Sequence, residues 1–278
     1  MADLGIAAVN PNKALWEKGD FTRIAATMRE SGDDIVTSLG IGTGTRVLDL
    51  GCGDGTTAVP AAERGAEVLG VDIAPNLVAA GNARAAALDL KNLRFEEGDA
   101  SKLTGIADFS VDLVLSVFGA MFAPRPFDVA REMVRVTRHG GRIVMANWIP
   151  GDPTLVAQIL KISSAYSPKP PEGFVSPMMW GDPTQVSERF QAAGIPADSI
   201  ECQRRTYVFR SAQPPADLLE TFRLYYGPVM NAYEAAERDN RANRLHEELT
   251  ELFVAQNRAG DAETYIPATY LRVTVSRI

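Results

Sequence analysis

The sequence predicts an α/β fold in which helices cover a mostly parallel β-sheet. Short apolar segments alternate with helical segments over residues 45–148. A glycine-rich turn follows the first apolar segment, and an aspartate follows each of the next two. Strand–helix alternation at this spacing requires crossover connections, which are right-handed and keep consecutive strands parallel.

Five strands are predicted in this alternating part of the chain. Each is short, apolar and bounded by turn residues. They lie at residues 46–50, 67–71, 93–96, 111–117 and 142–148. The helices predicted between them lie at residues 57–64, 75–88 and 127–136. Pro75 suits the first turn of its helix, because the amide that proline lacks has no partner there.

The flanking segments have other patterns. Residues 1–44 form an N-terminal appendage with apolar residues at helical spacing, closed by the glycine-rich stretch at 40–44. After residue 148 the chain is predicted to complete the sheet, with strands at 200–209 and 270–278. Helical insertions at 150–183 and 214–260 separate these strands and exceed what a minimal sheet needs.

Composition limits the classes of function. The chain has 278 residues and a net charge of −7 without a block of basic residues, which disfavours nucleic-acid binding. Cys52 and Cys202 are far apart, so neither a disulfide framework nor a metal site is predicted. The N-terminus shows no signal-peptide pattern and no apolar run could span a membrane. We therefore expect a cytoplasmic enzyme, either a monomer or a homodimer.

The glycine turn indicates a cofactor. It reads Gly51-Cys52-Gly53-Asp54-Gly55 between a strand and a helix, where a glycine backbone lets a ligand approach closely. Dinucleotide enzymes place a third glycine three residues after the second, and this chain has Thr56 there. Its third glycine comes one residue earlier, which favours a cofactor that lacks a phosphate.

Three aspartates follow predicted strands. Asp72, 21 residues after Gly51, is placed to accept hydrogen bonds from two ribose hydroxyls. Asp99 is placed to bind an adenine amino group, with the Ala100 amide at a ring nitrogen, and Asp49 to bind an ammonium group. One such aspartate is typical of a turn or a helix cap. Three on neighbouring strands, beside this loop, indicate S-adenosylmethionine (SAM).

These segments resemble the class I SAM-dependent methyltransferases. VLDLGCGDG is similar to their first motif, GVDIAP to the ribose-binding segment, and EEGDASKL to the segment after the third strand. FSVDLVLSVFGAMF and TRHGGRIVMANW resemble their fourth and fifth strands. The resemblance is greatest to the ubiquinone and menaquinone methyltransferase group. His139 stands where the family usually has proline, and we interpret it as a surface turn residue.

The resemblance implies further features. The fold would be a Rossmann-like sheet of seven strands in the order 3-2-1-4-5-7-6, with the last strand antiparallel. Ile73, next to the ribose acid, and the backbones of Ser116 and Val117 would contact SAM. Residues 1–44 would be a helical lid with Phe21 or Trp16 against the cofactor. Residues 45–148 would be the SAM-binding core, and residues 149–278 would complete the sheet and cap the substrate.

The acceptor is predicted from the segments beyond the strands. An apolar pocket for a small molecule is expected from five residues, namely Phe118, Met121, Phe122, Trp180 and Tyr226, although such residues commonly belong to a core. No catalytic base is assigned, and His246, Tyr225 and Tyr226 are the only candidates. Strand four lacks the Asn/Asp-Pro-Pro-aromatic signature of enzymes that methylate exocyclic amines. We therefore predict methylation of carbon or oxygen in a hydrophobic metabolite.

Three alternatives remain open. A protein or RNA methyltransferase would show a basic surface beside the SAM site. A SAM-binding regulatory module would bind SAM without turnover. A nicotinamide dehydrogenase would bind NAD, which Thr56 in the place of the third glycine disfavours.

Overall fold

The computed structural model describes residues 12–170 and 172–278, so the first eleven residues of the predicted lid lie outside the described part. Its centre is a seven-stranded sheet of order β3-β2-β1-β4-β5-β7-β6. The strands are β1 (Arg46–Leu50), β2 (Glu67–Asp72), β3 (Leu93–Glu97), β4 (Val111–Val117), β5 (Thr137–Trp148), β6 (Ile200–Ser211) and β7 (Thr264–Ser276). Strands β1 to β5 are parallel, and β7 is antiparallel to β5 and β6. The predicted fold class and strand order are confirmed.

Eleven α-helices are found in the described residues. They are α1 (Asn12–Glu17), α2 (Thr22–Ala26), α3 (Arg29–Thr37), α4 (Ala58–Glu63), α5 (Pro75–Ala87), α6 (Pro126–Val136), α7 (Leu155–Tyr166), α8 (Pro183–Ala192), α9 (Pro215–Tyr225), α10 (Gly227–Arg238) and α11 (Ala242–Gln256). Helices α4 and α5 pack on β2 and β3, and α6 packs on β5 and α8. Helix α7 packs on α10 and α11, so the two late insertions meet each other. None of the described helices is long and apolar enough to cross a membrane.

Burial explains the apolar character of the central strands. In β1, every residue after Arg46 is buried, as expected for a parallel strand with both faces covered. Strand β6 lies at the edge of the sheet, and most of its first seven residues are half-buried or exposed. Polar residues are tolerated there because one side of the strand faces water.

Two strands begin earlier than predicted. Strand β5 begins at Thr137 instead of 142, because the turn before it already pairs with Val111 at an irregular register. Strand β7 begins at Thr264 instead of 270 and contains Pro267, opposite Val208 of β6. A proline inside a sequence argues against a strand, so the pattern before residue 270 gave no strand signal.

Candidate active site

One cavity lies at the carboxyl ends of β1, β2 and β4, beneath the N-terminal helices. It encloses about 930 Å³, including space open to solvent. It is lined by Asn12, Trp16, Phe21, Met28, Leu50, Gly51, Cys52, Gly53, Thr56, Thr57, Val71, Asp72, Ile73, Leu77, Gly98, Asp99, Ala100, Val117, Phe118, Gly119, Ala120, Phe122, Ala123 and Tyr207.

The glycine loop forms the floor of this cavity. Gly51, Gly53 and Gly55 have φ values of 69°, 56° and 90°, which glycine adopts without steric cost. A Cβ atom on Gly51 would lie 2.6 Å from the Cα of Gly119, and one on Gly119 would lie 2.1 Å from the Gly51 carbonyl oxygen. The loops after β1 and β4 therefore touch through backbone alone.

Asp72 ties the end of β2 to the glycine loop. Its Oδ2 accepts a hydrogen bond from the Gly53 amide at 2.8 Å, and its Oδ1 accepts one from the Ala74 amide at 3.0 Å. Burial raises the pKa of this carboxyl group, and the amides of Ala74, Gly53 and Ile73 oppose that rise. A carboxylate has about four acceptor positions, so these amides do not use all of them.

Asp49 is a buried acid directly below the loop. Its Oδ2 accepts a hydrogen bond from the Thr57 hydroxyl at 2.6 Å, and its Oδ1 has no partner among the described residues. Burial raises the pKa of Asp49 to about 7, with a further contribution from Asp72. A buried oxygen without a partner is costly, and a cation would satisfy it. Asp49 does not itself line the cavity, so its contact with the ammonium group of a methionyl moiety stays a prediction.

Asp99 and Ala100 line the cavity where β3 ends. The Oδ1 of Asp99 accepts hydrogen bonds from the amide and the hydroxyl of Ser101, at 2.8 and 2.6 Å. The guanidinium of Arg125 lies 3.8 Å from its Oδ2. Asp99 thus caps its own turn as well as facing the cavity, and its contact with adenine stays a prediction.

Four other predicted cofactor residues lie around the loop. Cys52 lines the cavity, and burial raises the pKa of its thiol well above the ordinary value, which argues against a reactive thiolate. Ser116 is buried, and its hydroxyl donates to the Leu50 carbonyl at 2.6 Å and accepts from the Ala120 amide at 3.0 Å. Ser116 therefore joins β1 to β4 and does not line the cavity, whereas Val117 and Ile73 do.

Two clusters of aromatic side chains enclose the apolar side of the cavity, and the first is centred on Trp16. The Trp16 ring packs edge-on against Phe21 and Phe122, with centroids 5.6 and 4.8 Å away. Tyr226 lies behind them, 6.1 Å from the Trp16 ring and 6.4 Å from the Phe21 ring. The α1 region thus supplies aromatic rings to the site, and Tyr226 supports that wall from outside.

The second aromatic group surrounds Phe118. The ring of Phe118 stacks on Trp148 at 3.6 Å and meets Tyr207 edge-on at 5.0 Å. Phe118 has a φ of 59°, a region rarely occupied by a bulky residue. Such strain persists only where surrounding packing fixes it, and it is typical of functional sites.

Salt bridges hold the N-terminal helices over the cavity. Lys13 of α1 pairs with Glu97 at the end of β3. Lys18, just after α1, lies 2.7 Å from Glu234 of α10. The segment is therefore attached on both sides of the cavity, as the predicted lid requires.

Arg29 of α3 binds the glycine loop itself. Its guanidinium pairs with both carboxylate oxygens of Asp54 and donates to the Thr56 hydroxyl at 2.9 Å. Arg84 of α5 donates to the Asp54 carbonyl at 2.6 Å. The Asp54 side chain is almost fully buried. Sequence reasoning assigned no role to Asp54, because its arginine partners are distant in sequence.

Several predicted pocket and catalytic residues lie away from the cavity. Met121 is buried but does not line it. Trp180 belongs to another cluster, with the Arg189 guanidinium 4.5 Å from its ring centre. Tyr225 is half-buried beside Gly19, and the Nδ1 of His246 lies 2.9 Å from the Tyr233 hydroxyl between α10 and α11. These placements do not agree with the substrate role of Trp180 or a catalytic role for Tyr225 and His246.

The sequence analysis missed several lining residues. They are Asn12, Met28, Thr56, Thr57, Leu77 and Tyr207. Thr56 and Thr57 follow the glycine loop directly, so adjacency could have indicated them. Tyr207 comes from β6, far along the chain, and its hydroxyl donates to the Met28 carbonyl at 2.7 Å. Nothing in the local sequence signals that contact.

Comparisons with known proteins agree with this site. A family model described as a methyltransferase domain matches residues 48–145. An uncharacterised protein of Mycobacterium tuberculosis is 34% identical over 248 residues, 88% of this chain and 88% of that protein. A demethylmenaquinone methyltransferase of Beutenbergia cavernae is 39% identical over 111 residues, 40% of this chain and 44% of that enzyme.

A solved structure has the same fold. Phosphoethanolamine N-methyltransferase 2 of Haemonchus contortus, in complex with S-adenosyl-L-methionine, superposes with a TM-score of 0.60. The identity is 18%, over 98% of this chain and 61% of that chain. The chain belongs to the class I SAM-dependent methyltransferases, and its cofactor is SAM.

Proposed function

We propose that this methyltransferase methylates a carbon or oxygen atom of a small, uncharged, hydrophobic metabolite. The observation that carries the proposal is the composition of the cavity wall. Beyond the glycine loop and the acids, the wall consists mainly of aromatic and aliphatic side chains, among them Trp16, Phe21, Met28, Phe118 and Phe122. Apolar walls with few polar groups are typical of sites for hydrophobic small molecules.

The charges in the wall support an uncharged acceptor. Among the described residues, no lysine, arginine or histidine lines the cavity, and its charged residues are Asp72 and Asp99. A phosphate or carboxylate brought into this site would lose water without gaining a positively charged side chain of the described residues. Phosphorylated acceptors, such as the one in the name of the Haemonchus enzyme, are therefore disfavoured.

The cofactor roles are proposed from the same geometry. Asp72 would hold the ribose, Asp99 and Ala100 the adenine, and Asp49 the ammonium. Gly51, Cys52, Gly53, Ile73 and Val117 would line the SAM site. Phe21 and Trp16 would cover it. When bound, SAM supplies a methyl group on a positively charged sulfur. The chain's own contribution is to align the acceptor with that group and to exclude water.

Among the residues that the structure describes, no histidine or lysine lines the cavity to remove a proton from the acceptor, and Asp72 and Asp99 are proposed to hold the cofactor. Tyr207 is the one tyrosine among the lining residues; burial raises its pKa and its hydroxyl donates to the Met28 carbonyl. His246 lies outside the cavity. The acceptor atom would therefore ionise without an enzyme base, as an acidic phenol or an activated carbon does.

Net charge argues against a macromolecular acceptor. The chain carries −7, and RNA binding depends on a positive surface. The lid attached through Lys13 and Lys18 also narrows access to the cavity. A small molecule meets both conditions better than a protein or an RNA.

The test is a panel assay of S-adenosylhomocysteine release. The panel pairs uncharged phenols and enolisable ketones with their phosphorylated or carboxylated analogues, and adds protein and RNA fractions. We expect turnover of uncharged compounds only, and none by Asp72→Ala. Turnover confined to phosphorylated or macromolecular substrates would overturn the proposal. Binding of S-adenosylhomocysteine without turnover of any compound would favour the regulatory module.

A further inference from the structure

Strand β6 forms one edge of the sheet, and its two halves differ. In the second half, the Val208 amide donates to the Ser31 hydroxyl at 3.0 Å and the Arg210 amide donates to the Thr27 carbonyl at 3.3 Å. In the first half, residues 200–206, the Ile200 amide donates to the Ala197 carbonyl, and the other outward-facing backbone groups have no hydrogen-bond partner among the described residues. Unpaired edges of this kind are templates for another strand.

The direction of each backbone group follows from the antiparallel pairing. Residues of β6 alternate between bonding β7 and facing outward. The outward bonds of Val208 and Arg210 show that the even-numbered residues face outward. In the open half these are Ile200, Cys202, Arg204 and Thr206.

We propose that this edge pairs with the same edge of a second copy, antiparallel and centred on Gln203. Residue 203 is the midpoint of the open segment. In this register Cys202 lies opposite Arg204 of the second copy, and Ile200 lies opposite Thr206. Every outward-facing residue of the open half then gains a backbone partner, and the two sheets become continuous across a twofold axis.

The side chains are self-complementary in this register. Glu201, Gln203 and Arg205 share one face of β6, where Arg205 donates to Gln203 and Gln203 donates to Glu201. Pairing centred on Gln203 sets Glu201 opposite Arg205 of the second copy, twice by symmetry. Opposite charges on directly facing residues stabilise such pairs.

Neighbouring registers are less favourable. Centring on Arg204 would place the two Arg204 side chains opposite each other, which is repulsive. It would also direct Ile200 of one copy at Val208 of the other, whose amide and carbonyl are already bonded to Ser31. Centring on Cys202 would leave Thr206 without a strand partner, since the 3-10 turn Ala197–Ser199 lies before β6.

Sedimentation velocity over a range of concentrations tests the proposal on the full chain. We expect a monomer–dimer equilibrium. Arg205→Glu should raise the dimer dissociation constant roughly tenfold, because one reversal makes both symmetric pairs repulsive. The double variant Glu201→Arg, Arg205→Glu should restore the wild-type dissociation constant. Arg238→Glu, which reverses an exposed charge on α10, is the control and should leave the dimer dissociation constant unchanged.

Cross-linking tests the register. On a Cys202→Ser background, Gln203→Cys should form a disulfide dimer on oxidation, because facing residues at a non-hydrogen-bonded position have Cα atoms about 4.5 Å apart. Glu201→Cys alone should not, since it faces position 205. A monomer at all concentrations, or a dimer insensitive to Arg205→Glu, would overturn the proposal. Neither readout depends on methyl transfer.

Discussion

At the residue scale, Asp49 is the carboxyl group whose ionisation the fold opposes most clearly. Its pKa is about 7 in the folded chain against an ordinary value of 3.8. The folded state therefore holds a proton that the unfolded state releases, and the stability of the cofactor-free protein is lost as pH rises from about 4 through about 7. Each pKa unit is equivalent to about 1.4 kcal/mol, so the effect amounts to a few kcal/mol at most.

Asp49→Asn should remove this dependence. Asparagine keeps an acceptor for the Thr57 hydroxyl and carries no charge. We expect the variant without cofactor to be more stable than the wild type at pH 8 and similar at pH 5, measured by urea unfolding. Equal pH dependence of the two proteins would contradict the assignment of the titration to Asp49.

Asp72→Ala should weaken S-adenosylhomocysteine binding at least about tenfold, since two ribose hydrogen bonds to a charged group would be lost. Calorimetric titration measures the dissociation constant for S-adenosylhomocysteine. The variant also loses the contacts to the Gly53 and Ala74 amides, so Asp72→Asn, which keeps an acceptor, is the companion. Unchanged affinity in the alanine variant would exclude Asp72 as the ribose ligand.

At the element scale, the contact between the loops after β1 and β4 depends on Gly119. A Cβ there would overlap the Gly51 carbonyl oxygen, a backbone atom that cannot move aside alone. Gly119→Ala should destabilise the fold by about 2 kcal/mol or more and impair cofactor binding. Gly42→Ala is the matched control, because no atom lies within 4 Å of its added Cβ. Thermal unfolding of both variants provides the comparison.

The link between α3 and the glycine loop gives a second prediction at this scale. Arg29→Met would leave the buried Asp54 carboxylate with only the more distant Arg84, at 3.9 Å. Because a buried charge that loses its partner is costly, we expect destabilisation of about 2 kcal/mol. Arg23→Met, whose partner Asp20 is exposed, should change stability by less than about 1 kcal/mol. Similar losses in both variants would contradict this account.

At the scale of the whole molecule, one apolar core joins the lid, the sheet and the cap. Buried residues in contact run from Ile24 in α2 through Leu48 in β1 to Phe253 in α11 and Val275 in β7. The predicted boundaries at residues 44 and 148 therefore separate segments of the sequence that share one core. We propose that these segments do not unfold separately.

A single unfolding transition should follow from that shared core. Circular dichroism and tryptophan fluorescence should give the same midpoint in urea, because Trp16, Trp148 and Trp180 lie in the lid, the sheet and the cap region. S-adenosylhomocysteine should shift both midpoints together by mass action. Separate midpoints for the two signals would show that lid or cap unfolds alone.

The sequence by itself determined the methyl donor and the sheet. The strands, the glycine loop and the acids Asp49, Asp72 and Asp99 follow from local patterns, since a strand, its turn and its terminal residue are contiguous. The strand order was implied by the resemblance to the methyltransferase family. The carboxyl ends of parallel strands lie at one edge of the sheet. The sequence was therefore enough to predict that the aspartates after these strands lie near one another.

Only the tertiary structure completed the apolar wall of the cavity. Tyr207 comes from β6 and Met28 from the segment between α2 and α3, and no local pattern relates these residues to the predicted Phe118 and Trp16. The same reason explains why Trp180, chosen as an apolar residue in the right insertion, lies in another cluster against Arg189. Apolar residues look alike in a sequence, and packing alone separates a core residue from a pocket wall.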